Sequence, residues 1–529
     1  MRRLSVIAWC ALVAAAARLP GALWPIRPDE AGFTMVARVW DPGPESVYGP
    51  YWVDRPPLLL AVVRLSDELG GPLFVRILGA VGCALLVLAA AGVAREGARL
   101  VDATAARERV AVRLTAVGTT ALTSNAMIDL VAAKGELLSL PFLVGSFWLS
   151  LRGLRTRSTW CAFAAGLAGA VALGLKQNMA GGLVFAGVLL LMELARRRLP
   201  PRRFARLALA GLAGAAVPAV ATVGWAMLAG VRLSALWYAV YGFRSDAMRV
   251  IWSQPAAAPE RRARELVLIF VGSGLVLLIG WLARRASALL RAQPTLASAT
   301  LAVLLVDLAG VAMGGSYWRP YLFGLVPSAV LVLTLLSLRL VDGSRQPAGL
   351  RARAAEAVVA ALVVSAGVAG VGWGAAWVGG VEPPTEVYTG EAIERASAPG
   401  DTMVVFGGRA DLQLTTGMPS PYPYLWSLPA RTLDPGSRQL ARLLAGPRAP
   451  TWFVAWVPLG AWDPRSESNL HRVLSRRYDV HGNACNGHPV YLRRGLARPP
   501  LHLGCTRPYR PRPADDRAGM GPETGQRPW

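Results

Sequence analysis

Apolar runs near 4–24, 72–94, 112–129, 136–152, 159–175, 179–195, 205–230, 266–283, 295–313, 320–340 and 356–380 constrain this 529-residue sequence more than any other feature. Each approaches the roughly 20 residues that a helix needs to cross about 30 Å of hydrocarbon. Lipid offers no partner to a free N–H or C=O, so runs of this kind span as helices. Charged residues make up 17% of the chain, against about 25% in soluble domains. The expectation is a polytopic α-helical membrane protein with about 11 transmembrane helices. Disorder is excluded for most of the chain by the same apolar content. Arg2 and Arg3 precede the first run as they would in a signal peptide, but the later spans keep their sidedness only if the first is retained.

The charge is lopsided: 56 Lys and Arg against 32 Asp and Glu give +24. With the N-terminus cytoplasmic, the inner segments are that terminus and those near 95–113, 152–157, 196–206, 284–291 and 339–356. They hold 23 basic and 5 acidic residues, the pattern of the positive-inside rule. The basic residues lie scattered between spans with no interleaved aromatic platform, which excludes nucleic acid as a partner. The first outer loop, about 25–71, reverses the trend. It holds Asp29, Glu30, Asp41, Glu45, Asp54, Asp67 and Glu68 against Arg27, Arg38, Arg55 and Arg64. A second outer loop, about 231–265, carries Trp237, Tyr238, Tyr241, Phe243, Arg244, Asp246 and Trp252, suited to the membrane interface.

Residues 1–380 thus form the membrane domain. Short β-rich runs at Val404 to Phe406, Thr451 to Val457 and Val490 to Leu492, separated by Gly/Pro-rich turns, predict a small extracytoplasmic α/β domain over 381–505. Residues 506–529 have the composition of a disordered tail. Cys10, Cys83 and Cys161 fall within spans, whereas Cys485 and Cys505 fall in the outer domain, where oxidation persists and a disulfide is expected. His471, His481, His488 and His502 lie nearby but show no zinc-ligand spacing, so no metal site is expected there.

Three features at the outer membrane edge carry chemistry. Arg27-Pro28-Asp29-Glu30 follows the first span; its carboxylates suit a general base for a hydroxyl or a divalent-cation site, or simply the acidic first turn of a helix behind Pro. Asp54-Arg55-Pro56-Pro57-Leu58 closes the same loop, as a phosphate clamp on a rigid turn or as a loop-to-helix junction. The chain has two lysines, Lys134 beside Glu136 and Lys176 in Gly174-Leu175-Lys176-Gln177-Asn178, both at outer ends of spans. An ionisable group at membrane depth is a functional candidate, with snorkelling as the alternative.

The pair of motifs, RPDE after the first span and DRPPL about 25 residues on, resembles polyprenyl-phosphate-dependent glycosyltransferases of the GT-C fold. The similarity is to bacterial protein-mannosyltransferase and aminoarabinose-transferase-like enzymes, in which an acidic pair opens the first outer loop and a basic-Pro-Pro-Leu motif closes it. Gly314-Gly315-Ser316-Tyr317-Trp318-Arg319-Pro320-Tyr321, running to Pro327, resembles a later motif of that group, with Pro320 where a His usually stands. The Val405 to Gly408 run ahead of a small outer domain is similar too. The resemblance implies transfer of a sugar, a hexose such as mannose or a pentose, from a polyprenyl-phosphate donor to an extracytoplasmic hydroxyl, with inversion. Glycan, glycolipid and protein all remain open as acceptor. In that scheme Asp29 is the base and Glu30 positions the acceptor or shares the proton. Arg55, supported by the motif, and Lys176 and Arg319, placed on that side by topology alone, are the candidates to face the donor phosphate. Asp54, Lys134, Glu136, Tyr317 and Tyr321 have acceptor-binding or structural roles, and Lys134 and Glu136 could instead pair with each other. A divalent cation fits the acidic pair but is not obligatory. The Ala/Arg/Gly/Pro bias points to a high-GC bacterium, hence to a plasma membrane. The competing class is a multi-pass transporter or lipid flippase; no internal repeat is evident, and Asp307 is the sole acidic residue deep in a span.

Overall fold

In the computed structural model the chain is described over residues 5–253, 257–338, 348–379 and 384–506. Arg2 and Arg3, the basic segment 339–347 and the expected tail from 507 on lie outside the described residues. The chain is a polytopic helical membrane protein. Among the described residues seven helices are long and apolar enough to cross a bilayer: Val6–Leu23, Phe74–Leu100, Gly135–Thr156, Pro201–Leu228, Pro294–Ala312, Arg319–Leu338 and Arg353–Val378.

The remaining four expected spans are helical but differ from plain crossings. Thr159–Leu175 and Gly181–Ala195 are apolar yet only 17 and 15 residues long. Ala105–Thr123 ends six residues before the expected limit, and its first turns carry Arg107, Glu108, Arg109 and Arg113. The run at 266–283 is two helices, Ala258–Gly272 and Leu275–Ala292, bent by 75°. Buried Ser273 and Gly274 make that break. Gly274 sits at φ 81°, a left-handed conformation that ends one hydrogen-bond ladder before the next begins.

Packing follows from residue size. Every side chain of Val326–Leu338 is buried, so this helix forms the middle of the bundle. Pro201–Leu228 lies at the rim and meets Thr159–Leu175 by backbone approach: a methyl at Gly166 would stand 1.9 Å from the Gly211 carbonyl oxygen. Close contact of this kind replaces the hydrophobic drive that lipid removes. At one end of the bundle Arg155 pairs with Glu96 at 2.6 Å and Arg99 with Glu108 at 3.3 Å. Glu96 lies 20 residues along its helix from Arg76, about 30 Å at 1.5 Å per residue.

Near that other end, around Arg76, stands the C-terminal domain. Its four strands, β1 (Met403–Phe406), β2 (Trp452–Ala455), β3 (Tyr478–Asn483) and β4 (Pro489–Arg493), lie in the order β1-β2-β4-β3. β1 and β2 are parallel, and the other two pairings are antiparallel. One face packs Met403, Trp452, Val454, Val490 and Leu492 on Ile393, Ala396 and Leu412. The other packs Val404, Phe406 and Phe453 on Leu440, Leu444, Leu470 and Leu474. Both faces are thus covered by helices. A disulfide joins Cys485 to Cys505 with the Cα atoms 5.4 Å apart.

Candidate active site where the bundle meets the C-terminal domain

The first loop folds into two helices, Pro28–Arg38 and Pro57–Gly70. Pro28 opens the first, because a helix start needs no N–H there, and Asp29 and Glu30 fill its first turn. These adjacent carboxylates have opposite surroundings. Glu30 points inward, where its oxygens take Arg76 Nε at 3.0 Å and Nη2 at 2.6 Å. The N–H groups of Ala133 and Arg27 add bonds of 3.0 and 3.2 Å. Arg76 spends its remaining donors on the carbonyls of Gly21, Trp24 and Pro25. Both side chains are 1% exposed. Burial works against the Glu30 carboxylate, but the Arg76 charge and these bonds win and hold its pKa below the usual range. Glu30 is therefore a strut joining three segments, with no side open to a ligand.

Asp29 points outward and is 27% exposed. One oxygen meets Lys134 Nζ at 2.7 Å, and the other accepts the Trp426 indole N–H at 2.9 Å. Burial alone would raise this carboxyl; Lys134 and Arg55 overcome it and keep Asp29 ionised well below the ordinary carboxylate range.

Around Asp29 runs a chain of ion pairs drawn from four parts of the sequence. Asp54 accepts Arg55 at 2.5 Å through one oxygen and Arg244 at 3.0 Å through the other. Arg55 also lies over the Phe33 ring, and its carbonyl accepts the Tyr48 hydroxyl. Lys134 caps the start of Gly135–Thr156, and Lys176 caps the end of Thr159–Leu175. Lys134 and Glu136 do not pair with each other: Lys134 goes to Asp29, and Glu136 takes Lys176 at 2.7 Å. Two residues apart at a helix start, their side chains leave in different directions. Tyr321 places its ring 6.0 Å from Lys176 Nζ.

Two of the expected residues stand apart. Arg319, half exposed, pairs with Glu265 and so lies outside this chain of pairs. Tyr317 is half-buried against the bundle core with φ 50°. Asp307 accepts the Ser328 N–H at 3.2 Å, capping the central helix that begins at Val326. Among the described residues no three His, Cys, Asp or Glu side chains gather as metal ligands.

Three members were not anticipated. Arg244 lies in an aromatic stretch that reads as an interface anchor. Gln177 follows Lys176 and donates to the carbonyls of Asp54 at 3.0 Å and Val240 at 3.3 Å, tying the two loops together. Trp426 comes from the C-terminal domain, 397 residues from its partner.

Arg55, Lys134, Lys176 and Arg244 thus face Asp29, Asp54 and Glu136. Arg55 and Arg244 share one carboxylate, so these seven carry one positive charge in excess. The cluster presents cations to an anion beside one accessible carboxylate, Asp29, which its cations keep ionised at rest.

No protein-family model matches the sequence, and no curated relative is detected. Solved structures do match. ArnT from Cupriavidus metallidurans bound to undecaprenyl phosphate is 14% identical, at TM-score 0.58 over 93% of this chain and 98% of that one. The same protein in the apo state is 13% identical, at TM-score 0.57 over 92% and 97%. An oligosaccharyltransferase from Archaeoglobus fulgidus, tethered to an acceptor peptide, is 13% identical at TM-score 0.47 over 90% and 72%. The bundle with its small C-terminal sheet matches ArnT over nearly the whole of both chains: this protein has the GT-C fold.

Proposed function

We propose that this protein is a membrane glycosyltransferase that moves a sugar, a hexose or pentose, from a polyprenyl-phosphate donor to an acceptor hydroxyl with inversion. The site faces the extracytoplasmic side of a bacterial plasma membrane, with the N-terminus cytoplasmic. The observation that carries this reading is the contrast between carboxylates. Asp29 is 27% exposed, against 1% for Glu30, 14% for Asp54 and 6% for Glu136. It stands beside a cluster with surplus positive charge. That an ArnT structure of the same fold is bound to undecaprenyl phosphate agrees with a polyprenyl-phosphate ligand.

The acceptor oxygen attacks the anomeric carbon as the bond from that carbon to the phosphate oxygen breaks. The hydroxyl proton passes to Asp29, and the electron pair leaves on the lipid phosphate. This phosphate is a good leaving group and needs no proton donor. Arg55, Arg244 and Lys176 stabilise the charge that grows on it, and their carboxylate partners hold them in place beforehand. Asp29 is a weak base, which suffices where departure of the leaving group runs ahead of attack.

Asp29→Asn protein in membranes, supplied with polyprenyl phosphomannose and polyprenyl phosphoarabinose, should lose transfer while expression and topology persist. Transfer at the wild-type rate removes the base from this reading. Donor binding by the wild-type protein, with lipid translocated and no sugar released, would favour a flippase.

A further inference from the structure

The Val405 to Gly408 run and the C-terminal domain behind it have no part in the chemistry above, yet the domain reaches Asp29 through Trp426, and Gly408 backs that residue. Trp426 begins the Ser427–Leu433 helix in extended conformation. Its ring is wedged against the Pro28–Arg38 helix: a methyl at Gly32 would stand 2.3 Å from the ring, and the Phe33 ring is 5.5 Å away. Two further bonds fix the same segment on the first loop. The Ser420 N–H donates to the Tyr51 hydroxyl at 2.9 Å, and the Trp52 N–H donates to the Pro423 carbonyl at 3.0 Å. Gly408, at φ 75°, supports it from behind, since a Cβ there would stand 2.3 Å from the Ser427 nitrogen. Leu425 and Ala410 are buried in the core of the membrane domain itself. The C-terminal domain is therefore anchored, and it delivers the neutral Trp426 N–H to the site.

We infer that Trp426 is a positioning residue of this site, holding Asp29 between its indole N–H and Lys134 so that docking of the C-terminal domain aims the base. The inference rests on the proposed role of Asp29. A carboxylate held by Lys134 alone would follow a long flexible side chain. A second donor on the other oxygen, carried by a ring wedged on Gly32, fixes the plane of the carboxylate. Misplacing a reacting group by about 1 Å costs up to about a hundredfold in rate.

The test exploits ring geometry. In Trp426→His, imidazole Nε2 takes the ring position of the indole nitrogen, so the donor survives while bulk is lost. In Trp426→Phe the bulk is better kept and the donor is lost. Both are assayed at pH 8 for kcat, donor KM and melting midpoint, alongside Asp29→Asn. The expected result is opposite orders: Phe melts above His, while His retains kcat about tenfold or more above Phe, with donor KM unchanged in both. A kcat that follows the melting order, or two variants at wild-type kcat while Asp29→Asn is dead, overturns the inference and leaves the base in place. An active Asp29→Asn overturns the proposed function and this inference with it. Should neither Trp426 variant accumulate, Gly32→Ala pushes the intact ring away from Asp29. A fall in kcat at constant donor KM then upholds the inference, and unchanged kcat defeats it.

Discussion

Glu30→Gln separates a strut from a catalyst, and its cost can be worked from contacts. The wild-type carboxylate accepts four donors, Arg76 Nε, Arg76 Nη2, Ala133 N–H and Arg27 N–H, and is 1% exposed. An amide offers one oxygen. Whichever way it turns, its NH₂ faces two of those donors, and two bonds become contacts between donors. Arg76 is left charged, 1% exposed and without its counter-ion. Breaking a buried pair from one side costs about 3–5 kcal/mol, roughly two to four orders of magnitude in the folded-to-unfolded ratio. Detergent-solubilised Glu30→Gln should therefore unfold at markedly lower temperature or denaturant than wild type, and transfer should fall in step with the folded fraction. The lowered pKa sets the sign of the pH effect: this stabilisation is present above the ordinary Glu value of 4.5 and is lost as pH falls through the lower folded value. Normal melting with abolished transfer would refute the reasoning and put Glu30 on the substrate.

The lowered pKa of Asp29 keeps it ionised from pH 5 to 8, so the wild-type rate should show no acid limb from this group in that range. Lys134→Met removes the main force opposing burial, and the acid limb should move up towards neutral; an unchanged pH–rate profile would contradict the pairing. Lys176→Gln should raise donor KM by about tenfold to a hundredfold, the range for a hydrogen bond to a charged group. Arg319→Gln, whose partner is Glu265, should change it far less, as donor titration of the two variants would show. Cys485→Ser opens a loop with a sequence separation of 20, so the C-terminal domain should lose about 3 kcal/mol and wild-type melting should depend on reductant.

The bundle was legible because lipid imposes length and apolarity on each crossing, and those survive in any sequence reading. Lys134 and Lys176 stood out as candidates for a related reason, since charge at membrane depth is expensive, whereas Asp29 and Arg55 stood out through the acidic first outer loop and its RPDE and DRPPL motifs. Their partners did not. Lys134 stands beside Glu136 in sequence yet bonds Asp29, and only the fold brings residues 29, 134 and 426 together. Glu30 and Asp29 are adjacent and chemically alike; the helix start that sends one inward to Arg76 and the other outward decides their roles. The 75° bend escaped because a Ser-Gly pair inside an apolar run barely changes hydropathy. β3 escaped because it is an edge strand with exposed Asp479 and Val480, so the alternation that marks a half-buried strand is missing.

The ion pairs around Asp29 also bear on why the site holds as many carboxylates as it does. Four cations and three carboxylates leave about one positive charge, which matches the single charge of a sugar–lipid phosphodiester. After transfer the lipid carries a phosphate monoester, with a charge near −2 at neutral pH. A fixed set of cations would be balanced in one state and short in the other. Here the proton taken by Asp29 closes the gap: once Asp29 is neutral, Lys134 is no longer compensated, and the excess rises from about one to about two as the second negative charge forms. Removing the acceptor proton and neutralising the leaving group are then one electrostatic event. Only the transition state, in which the proton is passing to Asp29, gains from the released charge of Lys134, which is the condition for raising kcat rather than tightening donor binding. In the product complex that proton moves on to the more basic phosphate or to water, and Asp29 is ionised again. Lys134→Met should accordingly lower kcat far more than it raises donor KM, and the reverse pattern would show that Lys134 serves donor binding instead.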